Sequence, residues 1–464
     1  MDGPSSELIT LETDSIVANV TQLGTDHALN QDAAWSAVDH AKGRLVACAA
    51  VFDGHGVMGE VASAAACAAL STLMRCAASR TEWFEQPENE LARLLASLHD
   101  AVLQAHAPNK LPVPYAHEHG RYELSYELAE DLTSFVVHGG GGGEFFEPID
   151  FGCTATVGVL LLDGQRRRVV CGNLGDSPAV LCGTTPGGDP YSTELSVLHA
   201  ASEKPEQQRI SMLHWNVDAS PVSFDKKYLN CLAGPLEGQS LEPTRGLGHP
   251  FWAPLGFSQE PHIRLLDVEQ QGLSVLVVMS DGVSDVLSAL EIEQVVLEEL
   301  NAVGGGGENA GPAAENAGAQ PVEQFSARRV ASRLVERAVA AVDGGFHDDA
   351  TAAVILAHAA STALSSAAPP AAASSTAEAE ANEEDATAAF GRASIAPVVA
   401  AVSASPAAAA PRPPSRKASP ARSARGKPRA SSPQPQKAHS QRPRRARTAR
   451  AASPHAAQKD VQKG

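Results

Sequence analysis

Aromatic residues make up only 5% of this 464-residue chain, and no apolar run approaches the ~20 residues that a membrane-spanning helix needs. No membrane span is expected. The seven cysteines, at positions 48, 67, 76, 153, 171, 182 and 231, form no Cys-x-x-Cys pair and no zinc-type Cys/His spacing. Several lie in apolar runs such as Leu45–Phe52, so buried reduced thiols in an intracellular protein are the expectation. The opening MDGPSSELIT has no charged-then-apolar leader. Two glycine-rich stretches, 139–143 and 304–318, lack the strand–loop–helix setting and the Lys-Ser/Thr pair of a phosphate-binding loop, and read as flexible surface insertions.

Branched apolar residues nearly vanish after Leu356. From Ala357 onward the chain is almost all Ala, Pro, Ser, Arg and Lys, which cannot bury enough apolar surface to offset the entropy of ordering it. The expected organisation is an extension at 1–15, one folded domain at 16–357 with flexible insertions near 112–148 and 303–321, and a disordered tail at 358–464, basic from 411. The net charge of −18 is divided unevenly: 411–464 holds 15 basic residues and one acid, leaving 21 basic and 53 acidic residues elsewhere. An acidic body argues against nucleic-acid binding by the folded domain.

Short Val/Leu-rich runs bounded by Gly, Asp or Asn predict strands at Ile16–Gln22, Arg44–Phe52, Thr154–Leu162, Arg168–Leu174, Ala179–Leu181, Ser274–Met279 and Thr351–Leu356. Helical periodicity runs through Glu60–Ser79, Glu88–His106, Pro205–Leu213, Ala289–Leu300 and Ser326–Val342. The tight DGQ turn between the third and fourth strands predicts an antiparallel hairpin. Hairpins with segregated helices indicate an α+β layered domain, not a doubly wound parallel sheet.

Four aspartates share one local grammar, standing at a strand end: Asp53 in VFDGHG, Asp176 in GNLGDSP, Asp281 in VVMSDGVSD, and Asp348 in GFHDDAT. One such Asp is ordinarily a turn former. Four of them, if gathered, would repel one another unless a cation stood between them, and carboxylate oxygens suit Mg²⁺ or Mn²⁺ better than Zn²⁺.

The strings GTDHALNQDA, DGHG, GCTATVGVLL, GNLGDSPAVL, EKPEQQRI, TRGLG, VVMSDGVSDVLS and HDDATAAVIL occur in the order and approximate spacing of the protein phosphatase 2C family, which the chain resembles from about Ile16 to Leu356. The resemblance implies a four-layer αββα sandwich of two antiparallel sheets flanked by helices. It also implies hydrolysis of phosphoserine and phosphothreonine in proteins by a water activated between two divalent cations. Carried over, Asp53 bridges both ions, the Gly54 carbonyl binds one, Asp281 and Asp348 complete a shell, and Asp32 holds coordinated waters. His55 takes the place of the proton donor to the leaving oxygen, and Asp176 with Asp285 matches a weaker third-metal site. No thiolate is needed, in keeping with the absence of any Cys-x5-Arg loop.

Several positions depart from the family pattern. His27 stands where many members carry a phosphate-clamping Arg, and Gln31 replaces a metal-binding Glu, leaving an outer-shell role. Pro178 follows GDS in place of Arg, Ser284 replaces a Trp, and His249 stands where Asp is usual. A catalytically weak phosphatase-like scaffold that binds a phosphoprotein is the alternative. The expected partners are phosphorylated protein substrates, met as a monomer. The tail's RPRRAR at 442–447 reads as a polyanion-binding or nuclear address on an otherwise cytoplasmic protein, and Ser405, Ser419, Ser432 and Ser453 each precede Pro, the proline-directed phosphorylation pattern.

Overall fold

A computed structural model of the chain describes residues 16–24, 29–119, 122–139, 144–215, 219–268, 273–304, 326–342 and 348–357. All of these fall within the first of two compact units, 1–375, and none in the second, 376–464. The expected N-terminal extension, His27, most of both glycine-rich stretches and the basic tail lie outside the described residues.

The strand Arg44–Phe52 shows how the sequence makes its layers. Side chains alternate across a strand, yet here both faces are apolar. Val46, Cys48, Ala50 and Phe52 belong to one core cluster, while Leu45, Ala47, Ala49 and Val51 belong to another. A strand buried on both faces needs cover on both sides. Its sheet has the order His262–Asp267, Arg166–Leu174, Ala155–Asp163, Arg44–Phe52, Ala33–Ala41. A second five-stranded sheet has the order Val17–Gln22, Ala350–Leu356, Leu273–Met279, Ala179–Thr184, Pro190–Glu194. Neighbours in both sheets are antiparallel. The two sheets meet through Leu160, Leu162 and Val169 on one side and Leu181, Leu276, Val278 and Ile355 on the other.

Helices cover the outer faces. Pro87–Ala105 buries Leu91, Leu94, Leu95, Leu98 and Val102, the three-and-four spacing of one helical face, and starts with a proline whose missing N–H costs nothing there. With Gly59–Leu73 it shares a core with the first sheet. Ala289–Gly304 and Ala327–Ala341 cover the second sheet through Val295, Val296, Val330, Leu334 and Val335. The hydroxyl of Ser326 caps the latter helix by accepting from the Arg329 N–H at 3.3 Å. The result is the expected α+β sandwich of four layers. Truncating any of these fully buried leucines to alanine costs roughly 2–5 kcal/mol.

The structure corrects two expectations. The segment 112–148 was expected to be a flexible insertion. It carries a four-stranded antiparallel sheet, Tyr115–His119, Tyr122–Leu128, Ser134–Gly139 and Phe145–Pro148. Tyr126, Phe135 and Val137 anchor that sheet in the main core, so apolar burial outweighs its polar average composition. The helix expected to run to Ser79 ends at Leu73, and the chain turns through Cys76, which has a left-handed φ of 57°. All seven cysteines are free thiols. Among the described residues no helix is long and apolar enough to cross a membrane.

Candidate active site

Antiparallel register brings distant aspartates to one end of the sandwich. Ala33 pairs with Phe52, which sets Asp32 at the start of its strand beside Asp53 at the end of its own. Ala352 pairs with Met279, so Asp281, two residues beyond that strand, lies by Asp348 and Asp349, which precede theirs. Asp176 follows the strand Arg166–Leu174, whose pairing of Leu174 with Ala155 delivers it to the same end. Thus five strand ends converge, and four of them had been singled out by the Asp-at-strand-end pattern.

The backbone around these carboxyls is tightly held. The Asp53 N–H donates to Thr154 Oγ1 at 3.0 Å, and the Thr154 N–H donates back to the Asp53 carbonyl at 2.8 Å. Thr154 Oγ1 also pairs with Ser177 Oγ at 2.8 Å, tying the Asp53 and Asp176 segments together. Ser280 Oγ accepts the Thr351 N–H at 3.0 Å and fixes the turn that carries Asp281. Gly54 has no room for a side chain: a Cβ there would collide with the Gly59 carbonyl and come within 2.5 Å of the Gln31 carbonyl.

The electrostatics show that the carboxyls sense one another. Asp53, whose side chain is 14% exposed, is pushed well above the usual carboxylate range by burial and then by Asp281, Asp32 and Asp176. Burial, aided by Asp349 and Asp281, does the same to Asp32 against the opposing hydroxyls of Thr351 and Ser280. Asp176 is pushed up by burial, Asp281, Glu242 and Asp285. Asp281 rises to about 6, through burial and then the Asp348 carboxylate. Asp53 and Asp281 act on each other directly: Asp281 raises Asp53, while Asp53 partly offsets the rise at Asp281.

Two atoms in the cluster, Asp32 Oδ2 and Asp176 Oδ1, are buried with no hydrogen-bond partner among the described residues. Such orphaned carboxylate oxygens, surrounded by further carboxyls, are hard donors with nothing positive to satisfy them. The residue types therefore fit divalent cations of the Mg²⁺ or Mn²⁺ class. As the side chains stand, no three His, Cys, Asp or Glu groups among the described residues converge on one point in the manner of a closed ligand shell.

The remaining expected site residues are distributed as follows. His55 Nε2 lies 3.9 Å from Asp53 Oδ1, and burial followed by neighbouring His249 pushes its imidazole down to about 3. Gln31 is buried, and its side-chain amide donates to the Gly56 carbonyl at 3.1 Å and to Glu60 at 3.2 Å. Asp285 is exposed, and Lys227 reaches it at 3.9 Å while bonding Glu242 at 2.9 Å. Asp348 is exposed at the rim. A cavity of about 430 Å³ leads from Asp176 and Asp281 past Pro178 and Ser284 to the start of the helix Ala289–Gly304.

Sequence reasoning missed Asp349. It is buried and accepts the Gly24 N–H and the Gln31 N–H, each at 2.7 Å, which holds the segment entering Asp32. The Asp-Asp doublet at 348–349 was the available signal. The pairing of His249 with Asp150 at 2.8 Å was missed as well, since 99 residues separate the partners.

The family model described as protein phosphatase 2C matches residues 141–342. No curated protein matches the chain. Among solved structures it is similar to a serine-threonine phosphatase 2C from Toxoplasma gondii, at 17% identity over 73% of this chain and 98% of that one, with a TM-score of 0.44. It is similar also to a C. elegans sex determining protein, at 16% identity over 76% and 67% with a TM-score of 0.47. A serine/threonine phosphatase from Staphylococcus aureus aligns at 15% identity over 77% and 99%, with a TM-score of 0.39.

Proposed function

We propose that the chain, which the protein phosphatase 2C family model matches over residues 141–342, is a metal-dependent hydrolase of phosphoserine and phosphothreonine in proteins. The observation that carries this reading is the cluster of carboxyls from five strand ends, of which Asp32, Asp53, Asp176 and Asp281 are raised by burial and then by neighbouring carboxylates, with Asp32 Oδ2 and Asp176 Oδ1 partnerless among the described residues. Like charges so gathered are stable in ionised form only beside cations.

Asp53, Asp281, Asp348, Asp32 and the Gly54 carbonyl are the groups that would hold two Mg²⁺ or Mn²⁺ ions, with Asp176 and Asp285 for a weaker third. When bound, such ions supply positive charge for the phosphoryl oxygens and make a water nucleophilic near neutral pH. The protein's own part is positional. Asp53 and Asp281, fixed by Thr154 and Ser280, give the site a rigid floor, and the tight packing at Gly54 holds its carbonyl in place. His55 stands at the edge of the carboxyl cluster and gives a proton from Nε2 to the leaving oxygen, returning as neutral imidazole. The ring is neutral in the free site, and a phosphoester dianion beside it opposes that bias.

The test is hydrolysis of an aryl phosphate and of a phosphothreonine peptide by the full chain with Mn²⁺, with Mg²⁺ and with chelator. Turnover that needs the metal and is lost in Asp53→Ala and Asp281→Ala is the expected result. A folded protein that turns over neither substrate with either ion sinks the proposal.

A further inference from the structure

Lys227 brings a positive charge to the outer edge of the carboxyl cluster, on a turn whose shape does not depend on that side chain. The turn joins Val222–Phe224 to Leu229–Cys231 in a three-stranded sheet completed by Ser240–Leu241. The Asp225 carboxylate accepts the Lys227 N–H at 2.9 Å and the Tyr228 N–H at 2.7 Å, so backbone contacts set the turn. From there the ammonium lies 2.9 Å from Glu242 Oε2 and 3.9 Å from Asp285 Oδ2. Glu242 directly follows Ser240–Leu241 in the same small sheet, whereas Asp285 directly follows the short helix Asp281–Ser284 of the sandwich. The ammonium therefore stands between two parts of the fold.

The two carboxylates that it touches also face the site. Glu242 and Asp285 line the cavity of about 430 Å³ together with Asp176 and Asp281. The charges of both act on Asp176. Asp176 is itself 9% exposed, and its Oδ1 has no hydrogen-bond partner among the described residues. A buried carboxylate oxygen left over beside two more carboxylates suits a hard cation, and Asp176 with Asp285 is where a weaker third ion was expected. Glu242 was not expected there, and neither was a side chain of opposite charge.

We propose that Lys227 is a tethered competitor of the third divalent cation: its ammonium holds the outer carboxylates Glu242 and Asp285, and an ion takes that position only by displacing it. Two effects act in the same direction. The ammonium occupies donor oxygens, and its charge repels an incoming divalent ion. The inner carboxyls, out of its reach, remain open to the two tighter ions. The identity of the ions rests on the metal-dependent reading above.

The experiment is a calorimetric titration of the metal-free full chain with Mn²⁺. Lys227→Met keeps the apolar stem without the charge, and Lys227→Arg keeps the charge. Lys227→Met should tighten the weakest Mn²⁺ step by roughly tenfold, the scale of a divalent–monovalent repulsion at a half-exposed site, and move the tighter steps by less than about twofold. Lys227→Arg should titrate as wild type, and adding Asp285→Asn to Lys227→Met should remove the gain. A weakest step unmoved by Lys227→Met, a gain equally present in Lys227→Arg, or a gain that survives Asp285→Asn overturns the competition. If these shifts appear but no protein hydrolyses a phosphothreonine peptide, the hydrolase reading fails and the role of Lys227 stands. If neither wild type nor Lys227→Met binds Mn²⁺ at any step, both fall.

Discussion

Removing one charge from the carboxyl cluster should stabilise the metal-free protein, and Asp281→Asn is the substitution that shows it. Asp281 is held at about 6 against an ordinary 3.8, first by burial and then by Asp348. At 1.36 kcal/mol for each tenfold change in proton affinity, its ionised form costs the fold on the order of 3 kcal/mol at neutral pH. The sign follows from the direction of the shift. A carboxyl raised in the folded state contributes relief that is complete below 3.8 and is lost as pH rises through about 6. An amide keeps the shape but never ionises. In chelator at pH 7.5, thermal unfolding of Asp281→Asn should therefore lie above wild type by about 6 °C, taking roughly 2 °C per kcal/mol for a domain of this size. Near pH 5 the gap should shrink. With Mn²⁺ at about a hundred times its Kd, wild type should gain about 3 kcal/mol and the variant far less. A variant less stable than wild type in chelator at pH 7.5, or equal stabilisation of both by Mn²⁺, would refute the claim that repulsion among these carboxyls awaits a cation.

Other substitutions probe the supports. Asp349→Ala strands the Gly24 and Gln31 N–H groups and should cost roughly 2–4 kcal/mol in urea unfolding, while Asp349→Asn, keeping one acceptor, should cost less. For Glu206, burial pushes the carboxyl up, but hydrogen bonds from Arg245, Arg209 and Thr244 outweigh it and hold it down to about 2. Its contribution is thus present above about 4.5 and lost as pH falls through about 2, so Glu206→Gln should destabilise by roughly 2–3 kcal/mol at pH 7 and much less near pH 2. Gly54→Ala forces backbone carbonyls apart and should abolish metal-induced stabilisation in the same thermal assay.

Seven of the ten strands of the two main sheets were legible, mostly because burial on two faces leaves a continuous Val/Leu run, while the edge strands Ala33–Ala41, Pro190–Glu194 and His262–Asp267 were not. Arg44–Phe52 was placed to the residue, and Leu273–Met279 to within one. Ala33–Ala41 was not seen: alanine, Asp39 and His40 carry little strand preference, and pairing with Arg44–Phe52 along its full length makes the strand. The sheet between Tyr115 and Pro148 escaped for a related reason, since only alternate residues such as Phe135 and Val137 are buried and polar neighbours dilute the pattern. At the site, the aspartates that end strands announced themselves through Gly and Asp in fixed strings. The pairing of Asp150 with His249 did not, because nothing local marks a side chain whose partner arrives by topology.

The same topology explains why the site strains the fold that builds it. Antiparallel pairing delivers strand ends in adjacent positions, and each end favours an Asp because its carboxyl competes well for the freed backbone groups. Five such ends at one rim therefore concentrate negative charge where the two sheets open, with burial amplifying every repulsion. The hydroxyls of Thr154, Ser177, Ser280 and Thr351 anchor the backbone but bring no positive charge. Lys227, at the outer edge, is committed to Glu242 and Asp285. The inner carboxyls Asp32, Asp53, Asp176 and Asp281 are left to share protons or to take up cations. At neutral pH the second course relieves the repulsion without surrendering ionisation, so under the proposed function stability and chemistry would depend on the same ions.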